Sequence, residues 1–594
     1  MRELLRLNPY FLKYKWRFFS GIIFVVLSTG LRVFSPSLVG DIIDRILSDL
    51  NVYHTGIHTL HPALQKELWI FVGLYLSVSL AEGFFVFLNR QTIIVVSRLI
   101  EYDIKNTIYQ HYQQLDLTFY RKNSTGDLMN RITEDVSRVR MYLGPAIMYL
   151  LSLLFTLLIV IPTLIHLHPR MAVWVLLPLP FLSAAIYFIN NRIDIISAAL
   201  QAKLSDLTSY AQEIFSGIRV VKSFSREENM KDLFREESEL FKDSALRLAG
   251  LEALWFPTMN SFIGLSLILT VYVGGLSFFR GEVSAGDIAQ YILYLNMLMW
   301  PVTSLGWVAG MIQRAITSQR RINDFLDTHP VIHDGKYISG KIQGEVTFDQ
   351  VTFVYPDTGI KALDKVSFSI PVGQTWVILG KTGSGKTTIA DLLTKMYEPT
   401  SGKVLLNGVA TTEWDTEDLR RKIGYVPQDV FLFSEAIHDN ISFGMENPLH
   451  NHVRESAQMA GIHGEINRFS DQYDTIVGER GVTLSGGQKQ RITLARALYR
   501  RPELLILDDC LSAVDATTEK NIQEALTSMQ GIKTTLVITH RVFEHMKFDF
   551  VILLDEGRIV ESGTPEKLMS YESRYAGIVR DQKAESKKRT TVIE

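Results

Sequence analysis

The sequence predicts two folds in series: an α-helical bundle of six membrane spans with long cytoplasmic helical extensions, then an α/β domain built around a phosphate-binding loop. Three observations predict this. Residues 1 to 325 carry long apolar runs, whereas from Gly344 onward β-type and helix-type segments alternate in ordinary globular sequence. Charged residues make up only 21% of the 594, apolar residues 47%, and mean hydropathy is +0.11, a balance tilted toward membrane proteins. A Gly-rich loop, residues 380–387, stands between a short apolar strand pattern and an apolar helical run.

Crossing ~30 Å of hydrocarbon takes about 20 helical residues. Six stretches qualify: Phe18–Leu38, Leu68–Leu88, Leu143–Ile165, Met171–Ile189, Ala253–Phe278 and Gly286–Val308. The fourth is short and carries Pro178 and Pro180. No small-residue cleavage site follows the first apolar run, so it reads as a span and not a cleaved leader. Basic residues crowd the N-terminus (Arg2, Arg6, Lys13, Lys15, Arg17) and the second and fourth connections, while the other connections are poor in them. The N-terminus, both long connections and the C-terminal half therefore face the cytoplasm.

Those two connections read as helices over Ile94–Leu115 and Ala198–Phe215. Twenty helical residues extend a span by roughly 30 Å beyond the bilayer. Phe119-Tyr120 and Phe215-Ser216-Gly217 are the expected turns that close the two hairpins. Arg32 and Glu82 lie inside spans, where charge is expensive, so each faces protein or water. Counted from the ends of the apolar runs, they sit about 21 and 9 Å from the cytoplasmic face and are not expected to pair.

The expected boundaries are 1–325 for the membrane domain, 326–343 for a linker, 344–582 for the α/β domain and 583–594 for a charged tail. The linker is marked by the turn signals His329-Pro330, Asp334-Gly335 and Ser339-Gly340. With 61 basic and 63 acidic residues, no basic bias points to nucleic acid as a partner. The lone cysteine, Cys510, excludes an intrachain disulfide or a cysteine-ligated metal cluster and reads as a small buried residue.

Trp376-Val377-Ile378-Leu379 is a buried-strand pattern, followed by Gly380-Lys381-Thr382-Gly383-Ser384-Gly385-Lys386-Thr387 and the helical run Ile389–Met396. This is GxxxxGK[ST] in strand–loop–helix context, the P-loop. Its backbone N–H groups and helix N-terminus cradle phosphate oxygens. Lys386 is expected at the β/γ-phosphates and the Thr387 hydroxyl on Mg²⁺, with Thr388 beside it. Leu504-Leu505-Ile506-Leu507-Asp508 is an apolar strand that delivers a carboxylate to its C-terminal end, where α/β sites lie. Asp508 is the expected second metal ligand.

With these residues in place, the chain resembles the ATP-binding cassette (ABC) exporters that fuse a membrane domain to an α/β P-loop NTPase (ABC) domain. The most specific mark is Leu484-Ser485-Gly486-Gly487-Gln488, similar to the family's signature motif. The resemblance implies that Tyr355 stacks on adenine and that Gln428 touches Mg²⁺ and the attacking water. It implies that Asp515, in Ser512-Ala513-Val514-Asp515, belongs to the D-loop, and that His540 contacts the γ-phosphate. It also implies that Thr475–Gly481 meets the cytoplasmic loops of the membrane domain. In this family each ATP lies between one chain's P-loop and the other chain's signature. One such chain is thus half of an integral plasma-membrane transporter, and a second chain is required.

One position departs from the family. Where Glu usually follows the acid of the strand and polarises the attacking water, this chain has Asp509. Losing one methylene withdraws the carboxylate by about 1.5 Å. Hydrogen-bond reach is only ~2.6–3.2 Å, so direct contact with the water can be lost. Asp here resembles the weak chain of heterodimeric exporters, which keeps an intact signature for its partner's site. His540 is intact, which leaves open a homodimer. The expected function is ATP-driven export of amphipathic or apolar compounds, drug-like molecules or lipids, by alternating access. The alternatives are a homodimeric lipid or multidrug flippase, or a mainly regulatory ATP-binding subunit.

Overall fold

The computed structural model describes residues 2–54, 62–338, 345–478, 481, 484–510, 520–522, 524–525, 534–542 and 547–582. It divides into two compact units. One comprises residues 1–113 and 126–328, the other residues 114–125 and 329–594.

Among the described residues, six helical stretches of the first unit are long and apolar enough to cross a membrane: Lys15–Asp49, Gln65–Gln114, Thr125–Leu167, Pro169–Ser216, Glu227–Phe279 and Ala285–Leu326. Each contains one of the six apolar stretches read from the sequence, and most run well past the hydrocarbon thickness. The helix Pro178–Ser216 is one continuous extension, stopped at Gly217. The fourth span breaks at Leu177, because Pro178 cannot continue the preceding helix Pro169–Leu176. Large apolar side chains such as Trp16, Trp69 and Phe279 point outward, as a lipid solvent permits.

Sparse polar contacts and small residues fix how the spans pack. Gly286 lies so close to the first span that a Cβ would stand 2.3 Å from the Gly40 carbonyl oxygen, and its N–H donates to Asp44 Oδ1 at 2.7 Å. The Tyr294 hydroxyl donates to the Val33 carbonyl at 3.0 Å. Ser284 and Asp287 form a reciprocal capping box at the start of the sixth span.

Two expectations are corrected here. Arg32 and Glu82 do pair, Nε to Oε1 at 2.7 Å. The first two spans run antiparallel with Gly21 against Ile93, so the cytoplasmic end of the first faces residues well past Leu88. Taking Leu88 as the matching end misplaced Glu82 by about eight residues, or ~12 Å. Phe119-Tyr120 is not a bare turn but the middle of a short helix, Leu117–Lys122. Asp116 caps that helix by accepting from the Phe119 N–H at 3.3 Å. Phe215 and Gly217 stand at a helix end as expected, followed by the helix Ile218–Ser223.

The second unit is a two-sheet α/β domain. Strands β1 (Val346–Val354), β2 (Lys361–Ile370), β4 (Ser401–Leu406) and β5 (Val409–Ala410) form an antiparallel sheet in the order β2-β1-β4-β5. Strands β3 (Thr375–Leu379), β6 (Ile423–Val426), β7 (Leu504–Asp508), β8 (Thr534–Thr539), β9 (Phe550–Asp555) and β10 (Arg558–Gly563) form the second sheet, ordered β10-β9-β3-β8-β7-β6. It is parallel except for β10. β7 is buried at every residue, which explains its unbroken apolar text. The linker region packs on this unit: the Gly335 N–H donates to the Trp414 carbonyl at 3.1 Å, and Asp334 Oδ1 accepts from Thr416 at 2.8 Å. Residues 339–343 of the expected linker, residue 344 at the start of the expected α/β domain, and all of the expected tail, 583–594, lie outside the described residues.

Candidate nucleotide site

Parallel strands place their C-terminal ends on one edge, and the loops there build the site. The β3 strand runs into the loop 380–385 and then the helix Lys386–Leu393. Gly385 has φ +98°, and a Cβ there would stand 2.3 Å from the Ala362 carbonyl oxygen, so only glycine fits. Lys386 curls back over the loop, with Nζ donating to the Gly380 carbonyl at 2.9 Å and the Lys381 carbonyl at 2.7 Å. Burial lowers its pKa, while Asp508 and Asp509 oppose that shift.

Asp508 ends β7 almost fully buried. Burial pushes its carboxyl up to about 6; a hydrogen bond from Thr387 pulls the other way. Its Oδ2 is buried with no hydrogen-bond partner. A hydroxyl beside a buried, unsatisfied carboxylate oxygen is an oxygen donor set suited to a hard divalent cation such as Mg²⁺.

Asp509 follows in a left-handed conformation, φ +47°, held by its N–H donating to the Ile538 carbonyl at 2.8 Å. That turn brings its carboxylate to the end of β8. His540 Nδ1 lies 3.0 Å from Asp509 Oδ1, and the Thr539 hydroxyl donates to the same oxygen at 3.4 Å. Cys510 is buried and its thiol is pushed up to about 12, so it stays protonated and unreactive at neutral pH.

These groups line one cavity of about 610 Å³. Tyr355, Thr382, Gly383, Gly385, Lys386, Thr387, Thr388, Gln428, Asp508, Asp509 and His540 all border it. The Tyr355 hydroxyl shares a 2.9 Å hydrogen bond with Thr388, which fixes the ring at the cavity edge. Gly380, Lys381 and Ser384 form the same loop without bordering the cavity.

The signature residues lie elsewhere. Ser485 caps the helix Gly486–Tyr499 by accepting from the Gln488 N–H at 3.3 Å, and Gln488 Oε1 accepts from the Ser485 N–H at 2.9 Å. Gln488 Nε2 donates on to Glu465 at 2.9 Å. Ser485, Gly486, Gly487 and Gln488 border no part of the P-loop cavity. In the segment Thr475–Gly481, Ile476 is exposed; Glu479 and Arg480 lie outside the described residues, as do Ser512–Asp515 and hence Asp515.

Several cavity residues were not legible in the sequence, Arg121 among them. Arg121, on the helix Leu117–Lys122, places its guanidinium over the Tyr355 ring at 5.1 Å from the centroid and donates to the Tyr397 hydroxyl at 3.2 Å. It lies 234 positions before Tyr355, among other basic residues of a cytoplasmic connection. Only the adjoining Phe119-Tyr120 hinted that this tip meets protein.

The chain is similar to known proteins over nearly its whole length. Residues 18–302 match the ABC transporter transmembrane region family, and residues 363–512 match the ABC transporter family. A probable multidrug resistance ABC transporter ATP-binding/permease protein of Bacillus subtilis, YheI, is 31% identical over 96% of both chains. An ATP-dependent lipid A-core flippase of Aromatoleum aromaticum is 32% identical over 83% of this chain and 82% of its own. A solved bacterial Atm1-family ABC exporter with ATP bound superposes with a TM-score of 0.78 at 25% identity, covering 96% of this chain and 98% of that one.

Proposed function

The chain belongs to the ABC transporter family, as a half-transporter that joins a membrane domain to an ATP-binding domain, and from that premise we propose that it is the weak-site subunit of a heterodimeric exporter. ATP hydrolysis coupled to transport follows from the family, as does assembly from two half-transporters. The chain is an integral membrane protein with its nucleotide-binding domain in the cytoplasm. The proposed cargo is amphipathic or apolar, in keeping with relatives described as a multidrug resistance transporter and a lipid A-core flippase.

The observation that carries the weak-site reading is the Asp509 carboxylate. It is one methylene shorter than Glu and already engaged by His540 and Thr539 on the protein side. To act as general base it must reach a water from that retracted position, directly or through a second water. The shared cavity supports the other assignments. The P-loop amides and Lys386 bind the phosphates, and Tyr355 receives the adenine. Thr387, Asp508 and Gln428 are the residues that would hold Mg²⁺, which supplies charge neutralisation at the β/γ-phosphates. His540 keeps Asp509 oriented and borders the cavity, where it is assigned to contact the γ-phosphate. Asp515 is assigned to the D-loop by motif alone.

A second reading, the homodimeric exporter, is favoured by one observation: His540 is present and paired with Asp509 at 3.0 Å, so the machinery is intact apart from side-chain length. Turnover of the purified full-length chain, alone and in lipid, separates the two. The heterodimer reading expects basal turnover far below that measured with a second half-transporter present. Brisk turnover by the chain alone, abolished by Asp509→Ala, would make it a homodimer.

A further inference from the structure

The membrane unit holds a second cavity, of about 540 Å³, with no acidic residue in its lining. Its polar wall includes Arg32, Asn89, Arg90 and Asn296; Met148 and Trp300 are among its apolar residues. The two arginines are not equivalent. Arg32 is neutralised by Glu82 at 2.7 Å, whereas Arg90 is exposed and forms no ion pair among the described residues.

The backbone is shaped to present this pair of residues. The helix Pro62–Asn89 gives way to a π-turn, Arg90–Ile94, and the Thr92 hydroxyl bonds the Leu88 and Asn89 carbonyls there, both at 2.9 Å. Such wide turns rotate the following side chains relative to a regular helix and recur at functional sites. Asn89 is only 7% exposed, yet its Oδ1 has no hydrogen-bond partner. A buried amide oxygen without a donor is costly unless a ligand or water supplies one.

We propose that this cavity receives the headgroup of an anionic amphiphile. Arg90 makes charge-assisted bonds to a phosphate or carboxylate, and Asn89 accepts a hydrogen bond from a hydroxyl on or beside that group. The tail lies along Met148 and Trp300. The assignment deepens the exporter reading, on which it rests, by choosing an anionic class of cargo within the amphipathic compounds. Arg90 lies in the cytoplasmic half of the second span, the side from which an exporter loads.

The test uses the full-length chain in phosphatidylcholine nanodiscs without nucleotide. Binding of dodecyl phosphate is compared with binding of dodecyltrimethylammonium, which has the same tail and opposite charge. The anion is expected to bind at least about tenfold tighter, because a charge-assisted hydrogen bond is worth roughly that or more. Arg90→Gln should remove most of the difference and Arg90→Lys retain it. Asn89→Asp, which sets a carboxylate beside Arg90, should reverse the preference. Retained anion preference in Arg90→Lys, with dodecyltrimethylammonium binding unchanged in Arg90→Gln, shows that the membrane unit is folded. Competition by phosphatidylglycerol assigns the headgroup to a membrane lipid; binding without such competition assigns it to a free single-chain amphiphile, and both support the anionic site. Equal affinity for the two dodecyl compounds, or no effect of Arg90→Gln, would overturn it. The exporter reading would survive that result, since it is judged by ATP turnover.

Discussion

Around the P-loop, charge is withdrawn from water; around Ser485 it is not. Asp508 is buried with an unsatisfied oxygen, Lys386 is half-buried with a lowered pKa, and Asp509 is held by two neighbours. Ser485 and Gly486 instead lie exposed at a helix start, their local hydrogen bonds already closed by a capping box. The first region is a cavity whose lining suits phosphate and a hard cation. The second is a finished surface element whose exposed helix N-terminus suits an anion brought from outside. The difference teaches that one chain presents two unlike surfaces, a buried P-loop cavity and an exposed signature helix start, and on the proposed reading the second serves another chain's ATP.

The largest expected effect breaks the comparison directly. In a complex with a competent partner, Ser485→Ala should depress total ATPase strongly, whereas Asp509→Ala should change it little. Loss of a general base commonly costs ~10²–10⁴-fold, so comparable severe losses from both changes would instead indicate a homodimer. Lys386→Ala comes next. It removes the phosphate-side cation from the P-loop half only, so MgATP binding to this chain's site should weaken by roughly 10–100-fold in equilibrium binding, with the signature half untouched.

Smaller effects sharpen the picture. Asp509→Glu restores the missing methylene and should raise single-site turnover several-fold, read by a single-turnover assay of the full-length chain. The pH response of Asp508 has a definite sign. Burial holds its folded pKa at about 6, above the unfolded carboxyl value, so the native state keeps the proton longer. Folding stability is therefore lost as pH climbs between about 4 and 6, while the metal-ready carboxylate becomes the major form above about 6. Mg²⁺-dependent nucleotide affinity should rise between roughly pH 5.5 and 7, and Asp508→Asn should flatten that part of the profile. The smallest change is Arg121→Ala. A cation–π contact of ~0.5–1 kcal/mol steadies the Tyr355 ring, so ATP affinity should fall by only about two- to fivefold.

How far each region could be foreseen depends on the range of its contacts. The P-loop, the acid-ended β7 strand and the signature are local devices: strand, turn and helix follow one another within a few residues, and their geometry is fixed by backbone conformation and capping. The six spans were legible for a similar reason, since hydrocarbon demands about 20 apolar residues regardless of neighbours. Packing among spans was less so. Generic apolar faces fit together in many registers, and reading Arg32 and Glu82 from the ends of apolar runs placed them ~12 Å apart in depth, when they are partners.

By itself, then, the sequence determined the six-span architecture, the orientation of the basic loops, the ATP-binding motifs and the shortened carboxylate at Asp509. Each is a matter of residue type or spacing along the chain. Tertiary structure alone decided that Arg32 meets Glu82, that Arg121 reaches Tyr355 across 234 positions, and that Asn89 and Arg90 border a cavity without acids. These are contacts between elements distant in sequence. Their free energy comes from a particular register and a particular desolvated neighbour, and neither exists until the chain has folded.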